Sequence, residues 1–382
     1  MPKVLKIFLM LIITLSLSAN PKPDRGGEII DIVYCLDLSA STNGLIDDVR
    51  DKLWDVINHV NSYRPSPNFR VGVVAFSRPS FGQKNYYVQV LSPLTNDFDA
   101  LAYTLYKLRP SIEKGDQFVG KALQAAVSDL NWTNNDDAIK LIYVVGNGRV
   151  DSGGGNQFRG ACENATKNGI AIHSLYCRNK KYNLKEVAGW REIARLSNGE
   201  QFDVKVNKKA PQVLVSEDQQ SLFHLSEQLN STYVYHGKNG SLRYKMMTTL
   251  DEHALKSSPM DFQSRLFYKI SDHYQYHQSK WDLVDYLKST SADFDKVKFE
   301  FLPDSLQDET PESLYQIALQ LKNKRNIVIK KLRTHLPYNR QATVNRVYVE
   351  SNMYQADIFD RIIVRSLDKV ALTGGYNTGN VR

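Results

Sequence analysis

The chain has 382 residues, 42% of them hydrophobic and 24% charged, so it is long enough to bury a full core and does not belong to the large disordered classes. Its formal charge of +8 comes from 49 Lys and Arg against 41 Asp and Glu, and it falls to +6 (8 − 2) without Lys3 and Lys6. No basic block concentrates that charge, which argues against nucleic-acid binding and leaves a weak pull toward acidic partners or membrane surfaces.

Met1 to Ala19 carries two lysines, an apolar stretch from Ile7 to Leu17, and small residues at Ser16, Ser18 and Ala19. The stretch falls short of the roughly 20 helical positions a bilayer span needs, and it reads as a secretory signal. An exported protein, periplasmic or secreted, is expected, with membrane association only if this segment stays uncleaved. After the short polar link Asn20 to Glu28, every residue from Ile29 to Leu36 is apolar except Asp31. This predicts a strand buried on both faces, in the middle of a parallel sheet. Leu45, Val49, Leu53, Val56, Ile57 and Val60 then recur at helical spacing, with Asp47 and Asp48 in the first turn, where negative charge suits the helix dipole.

Phe69 to Phe76 predicts a second buried strand, and Tyr86 to Leu91 a short one that suits an antiparallel edge. A helix through Leu101, Leu105 and Leu108 stops at Pro110, and the polar loop Ser111 to Gln117 opens onto a helix over Val119 to Leu130. Ala138 to Val145 predicts a third central strand, ending in Gly146-Asn147-Gly148. A helix around Gly160 to Lys167, a strand over Ile170 to Cys177, a helix over Trp190 to Leu196 and a strand over Glu200 to Val204 complete the alternation. The fold class expected is α/β, a doubly wound, mainly parallel Rossmann-like sheet within residues 28–206.

From Pro211 the chain turns polar and helix-favouring, giving a mainly α-helical extension over residues 211–372. Leu314, Ile317, Leu321, Val328 and Leu332 form a near-heptad stripe that packs within the chain or meets a partner. The aromatic stretch Tyr268 to Trp281 reads as a half-buried face against the sheet domain rather than a metal helix, although His273 and His277 are four apart. Thr373 to Arg382, rich in Gly and Asn, reads as a flexible tail.

The chemistry concentrates where the first strand ends in Asp37, Ser39 and Ser41. Ligands bind at the carboxyl edge of open α/β sheets, and a carboxylate with two hydroxyls offers hard oxygen donors suited to magnesium or calcium. Capping of the following helix is the plainer role for the two serines. No Gly-x-Ser-x-Gly elbow surrounds Ser39, and no nucleophile, base and orienter assemble from spacing, so no enzymatic activity is expected. Gly153-Gly154-Gly155 lacks the Lys-Ser or Lys-Thr of a phosphate cradle and reads as a loop at the same edge. Of three cysteines, Cys35 lies within a strand, while Cys162 and Cys177 fall at one edge of the sheet, where a bridge is geometrically possible.

Asp37-Leu38-Ser39-Ala40-Ser41 after a buried strand resembles the metal-ion-dependent adhesion site of von Willebrand factor type A domains. The strand RVGVVAF, the Gly115-Asp116 loop, IYVVGN and WREIARLSNGEQFDV extend the resemblance to an exported bacterial branch of that superfamily, and STYVYHGKNG, KWDLVDYL and FLPDSL resemble its helical extension. The resemblance implies a divalent ion, usually magnesium with calcium and manganese as alternatives, held by Asp37, Ser39 and Ser41 and by residues of two further loops. An acidic residue of a protein partner would complete the shell, making the chain a secreted adhesion module. Two positions depart from the family pattern: Asp116 stands in the second loop without a nearby threonine, and Asn147 stands in the third where aspartate is usual. Asp151 is placed to compensate for the missing charge. The alternative function is an envelope assembly scaffold that works through the helical extension, with a degenerate metal site.

Overall fold

The computed structural model describes residues 29–42, 44–109, 116–153, 157–178, 183–205, 217–271, 278–336 and 359–377. The expected signal segment, most of the second loop, Gly154-Gly155, and the pair His273 and His277 lie outside them.

Six strands form one sheet: β1 (Ile29–Asp37), β2 (Asn68–Phe76), β3 (Gln89–Thr95), β4 (Ile139–Gly146), β5 (Ile170–Arg178) and β6 (Gln201–Lys205), in spatial order β3-β2-β1-β4-β5-β6. All pairings are parallel except that of β2 with the edge strand β3. The fold is therefore the Rossmann-like α/β arrangement expected, with a helical extension. β1 sits between β2 and β4, so strand order reverses there and the crevice beyond Asp37 is the sheet's switch point. β3 begins later than the sequence suggested. Gln83–Asn85 forms a 3-10 turn, and Tyr86 and Tyr87 adopt φ of 53° and 57°, a left-handed conformation that cannot continue a strand.

The near-continuous apolar run of β1 follows from burial on both faces. Ile30, Ile32, Tyr34 and Leu36 join one core and Val33 and Cys35 the other, as the two-residue strand period requires. Asp31, the exception in that run, is fully buried and opposite Arg70 on β2, whose guanidinium grips both carboxylate oxygens at 2.8 and 2.6 Å. That pairing makes a buried charge tolerable.

Helices α3 (Val119–Ser128), α4 (Gln157–Lys167) and α5 (Leu184–Leu196) cover one face. Helices α1 (Leu45–Asn61) and α2 (Phe98–Lys107) cover the other, and there much of the extension joins them in one apolar cluster, while Val234, Leu283, Leu302, Leu314 and Ala318 form a second cluster within the extension. It comprises α6 (Glu217–Asn230), α7 (Gly240–Ser257), α8 (Pro259–Lys269), the short α9 (Leu283–Tyr286), α10 (Pro311–His335) and α11 (Phe359–Thr373). α8 packs on α1, α7 on α2, and α11 on α1. Tyr268 stacks on Trp54 of α1 at 4.9 Å, so this part of the aromatic stretch meets the sheet domain as expected. Leu314, Val328 and Leu332 of the heptad stripe are buried within the chain, with α10 against α6 and α9.

The extension also completes the sheet domain. Phe359 of α11 lies against Tyr34 of β1, and Ser366 hydrogen-bonds Tyr143 of β4 at 2.8 Å. Asp368 is held by His59 at 2.7 Å and Tyr63 at 2.8 Å. A helix from the far carboxyl end thus covers central strands of a sheet laid down before residue 206. Beyond it, Tyr376 is buried and Asn377 exchanges backbone hydrogen bonds with Arg64 at 3.1 and 2.7 Å, so the expected flexible tail is docked as far as Asn377.

Two buried charge clusters fix the extension. Arg265 of α8 binds Asp99 of α2 at 2.5 Å and Asp251 of α7 at 2.9 Å, and lies 4.5 Å over the Trp54 ring. Arg325 of α10 joins Asp282 and Asp285 at 2.6 and 3.1 Å. No helix among the described residues is long and apolar enough to cross a membrane.

The cysteine expectation needs correction. Cys177 points into the core shared with α1, whereas Cys162 lies in the α3–α5 core on the opposite face of the sheet. No bridge can pass through the sheet, and all three thiols are free and buried.

Candidate functional site

The site forms where β1 and β4 end side by side. Asp37 is the last residue of β1 and Gly146 the last of β4, and a Cβ at Gly146 would stand 2.7 Å from the Asp37 Cβ, so the glycine lets the aspartate lie against the neighbouring strand. Beyond Asp37 the chain turns through a 3-10 segment, Ala40–Thr42, pinned by the Thr42 hydroxyl donating to the carbonyls of Asp37 and Ser39, both at 2.8 Å. That turn aims Ser39 and Ser41 away from the core.

Neither serine caps α1. Its N-cap is Gly44, at φ 105°, with no side-chain cap. The hydroxyls instead form a chain across the edge: Ser39 Oγ and Ser41 Oγ are 2.9 Å apart, and Ser41 Oγ donates to Asn147 Oδ1 at 2.8 Å. The Asn147 amide nitrogen returns to the Ser41 carbonyl at 3.4 Å. Four of the five residues picked from the sequence, Asp37, Ser39, Ser41 and Asn147, therefore meet. The fifth, Asp116, is exposed and does not cap α3, whose N-cap is Phe118. Asp151, expected to compensate for Asn147, forms a two-pronged ion pair with Arg149 at 2.9 and 2.7 Å instead of joining the site.

Gln117, the residue after Asp116, reaches the centre. Its Nε2 donates to Asp37 Oδ2 at 3.1 Å, and the Asn147 backbone N–H approaches the same oxygen at 3.4 Å. Asp37 Oδ1 accepts from the Ser39 N–H at 2.8 Å. Room for the Gln117 amide comes from Gly148, at φ 79°, where a Cβ would fall 2.0 Å from Gln117 Oε1. The Trp190 indole holds this loop by donating to the Gly148 carbonyl at 2.9 Å. Burial pushes the Asp37 carboxyl pKa upward, against the lowering effect of the Ser39 amide and hydroxyl, the Ser77 hydroxyl and the Asn147 amide. Ser77, at the end of β2, is buried with φ 65°, and its Oγ makes no hydrogen bond of good geometry.

Beside the site lies an aromatic group. Phe118 contacts Tyr86 and Tyr87 edge-on at 5.5 and 5.6 Å, and Lys121 Nζ sits 4.5 Å over the Tyr86 ring. Left-handed Ser77, Tyr86 and Tyr87 concentrate about 1–3 kcal/mol of strain each on this one loop.

No protein-family profile matches the chain, and no curated protein matches it. Among solved structures it is similar to an aerotolerance-related membrane protein from Bacteroides fragilis, at 16% identity over 46% of this chain and 92% of that one, with a TM-score of 0.33. It is also similar to proximal thread matrix protein 1 from the mussel byssus, at 16% identity over 47% of this chain and 43% of that one, TM-score 0.36. The pilus adhesin SpaC from Lactobacillus rhamnosus GG aligns at 15% identity over 47% of this chain and 28% of that one, TM-score 0.35. At this identity and overlap none of them bears on what this chain binds.

The donor set itself tests the expected cation. Among the described residues no group of three or more His, Cys, Asp or Glu is placed to hold a metal. The site offers one carboxylate, two hydroxyls and an amide, and both oxygens of that carboxylate already accept from N–H groups. Magnesium needs near-octahedral oxygens at about 2.1 Å, usually including one or two carboxylates. Among the described residues the Gln117 and Ser39 N–H groups both engage the one carboxylate of the set, so the residues as arranged fit such an ion poorly.

Proposed function

We propose that the chain is a non-enzymatic protein-binding module of von Willebrand factor type A kind, exported to the envelope or beyond, whose binding edge is the carboxyl end of the sheet. The observation that carries this reading is the hydrogen-bonded chain at the switch point, in which exposed Ser41 links half-buried Ser39 to buried Asn147. These groups bond one another rather than a histidine or an attacking base, an arrangement suited to recognition. The strained aromatic loop beside them adds apolar contact surface, since strained non-glycine backbone gathers at functional sites.

A second reading, an assembly scaffold working through the extension, is favoured by the outward face of α10, where Ile327 is 58% and Tyr315 43% exposed. Capture from the envelope fraction on immobilised protein separates the two. Ser41→Arg should abolish retention of the partner while Ile327→Arg preserves it, and the reverse pattern would transfer the function to the extension.

A further inference from the structure

The sequence pattern at the end of β1 calls for a cation, yet its one carboxylate is engaged from two sides by N–H donors. We infer that the Gln117 side-chain amide stands where a divalent ion would sit, and that the binding edge is organised without metal. The inference deepens the reading of the same edge given above.

Three features of the site support it. Asp37 is fully buried and, among the described residues, is the only acidic one of the hydrogen-bonded group, so a doubly charged ion there would have one negative charge from them to balance it. The Gln117 amide faces Asp37 Oδ2 at 3.1 Å, where only its nitrogen makes a favourable contact, because an amide oxygen turned to a carboxylate would be repelled. The position is also built for that side chain: with left-handed Gly148 lacking a Cβ, the amide enters a gap that any other residue would close.

The remaining oxygens are likewise satisfied without an ion. Ser39 Oγ, Ser41 Oγ and Asn147 Oδ1 pass hydrogen bonds along at 2.9 and 2.8 Å, and the turn beneath them is held by Thr42. An ion shared by Asp37 and the two hydroxyls would compete with these hydrogen bonds and with the Gln117 amide for the carboxylate. The edge then presents hydroxyls and a fixed amide network to its partner, and recognition proceeds by hydrogen bonding and apolar contact with Tyr86, Tyr87 and Phe118 rather than by an acidic side chain closing a metal shell.

The test is thermal unfolding and calorimetric titration of the full chain in excess EDTA and in about 10 mM MgCl2, MnCl2 or CaCl2, since any ion bound only by the folded state raises the melting temperature. Wild type should show the same melting temperature in all four and no binding heat. Gln117→Glu, which sets a second carboxylate against Asp37, should melt lower than wild type in EDTA and recover with added cation, because two carboxylates make a hard-ion site. A melting temperature or heat in wild type that responds to the cations, and is lost in Asp37→Asn, would overturn the inference. So would a folded Gln117→Glu chain with no cation response, which would place Gln117 elsewhere than in the ion's position. None of these measurements uses the partner, so their failure is distinct from failure of the proposed binding edge.

Discussion

Replacing Phe359 by alanine probes whether the carboxyl-terminal helix is part of the sheet domain. Phe359 is the first residue of α11, is 2% exposed, and its ring centre lies 5.9 Å from that of Tyr34 on β1. Truncating a buried phenylalanine removes its transfer free energy and leaves a cavity, together about 3–5 kcal/mol. With a urea dependence of roughly 3 kcal/mol/M, the unfolding midpoint should fall by about 1–1.7 M with an unchanged slope. Leu372→Ala in the same helix supplies the control: Leu372 is 54% exposed, and its loss should cost within about 0.5 kcal/mol. Equal midpoints for wild type and Phe359→Ala, followed by far-UV circular dichroism, would refute the view that α11 completes the core.

Other expectations follow from the charges between sheet domain and extension. Arg265→Ala removes the guanidinium paired with buried Asp99 and should destabilise the chain by about 3–5 kcal/mol in urea unfolding, whereas Arg265→Met with Asp99→Leu should recover much of that loss. Asp261 sits against Lys52, Ser258, Asp51 and Asp55, and burial foremost raises its pKa to about 7. With a folded pKa above the unfolded one, its stabilising protonation is complete below about pH 4 and is lost as pH rises toward 7. Asp261→Asn should therefore flatten the decline of melting temperature between those limits, and an unchanged slope would remove Asp261 from the account.

How much of this was legible in the sequence depends on the range over which each feature is decided. The strands β1, β2, β4 and β5 announced themselves because burial on both faces leaves a continuous apolar run. The start of β3 did not, because Tyr86 and Tyr87 have strand-favouring side chains on left-handed backbone that only the loop's packing selects. The pattern after Pro211 conveyed helices but not their destination: nothing local says that residues 359–373 return to cover Tyr34 and Tyr143. Cys162 and Cys177 looked bridgeable because they share an edge, while the face each occupies depends on which side α4 crosses.

Asp37, Ser39 and Ser41 lie together at one strand end, as the motif implies, because local strand and turn propensities put all three there. Nothing local in the sequence distinguishes Gln117, because the charged Asp116 beside it is the more obvious ligand by residue type. The signal available was Gly148, whose missing side chain makes the gap that the glutamine enters. Asp151 was misjudged for a similar reason, as Arg149 two residues away competes for it at short range.

The measurement closest to the central claim is retention of the proposed protein partner by wild type, Ser41→Arg and Ile327→Arg under identical buffer. Ser41 is exposed at the sheet's carboxyl edge and Ile327 at the far side of the helical extension's α10, so each substitution alters one surface and leaves the core intact. A partner held at the edge is lost from Ser41→Arg and kept by Ile327→Arg. Retention by Ser41→Arg at wild-type level, with loss from Ile327→Arg, would contradict the account.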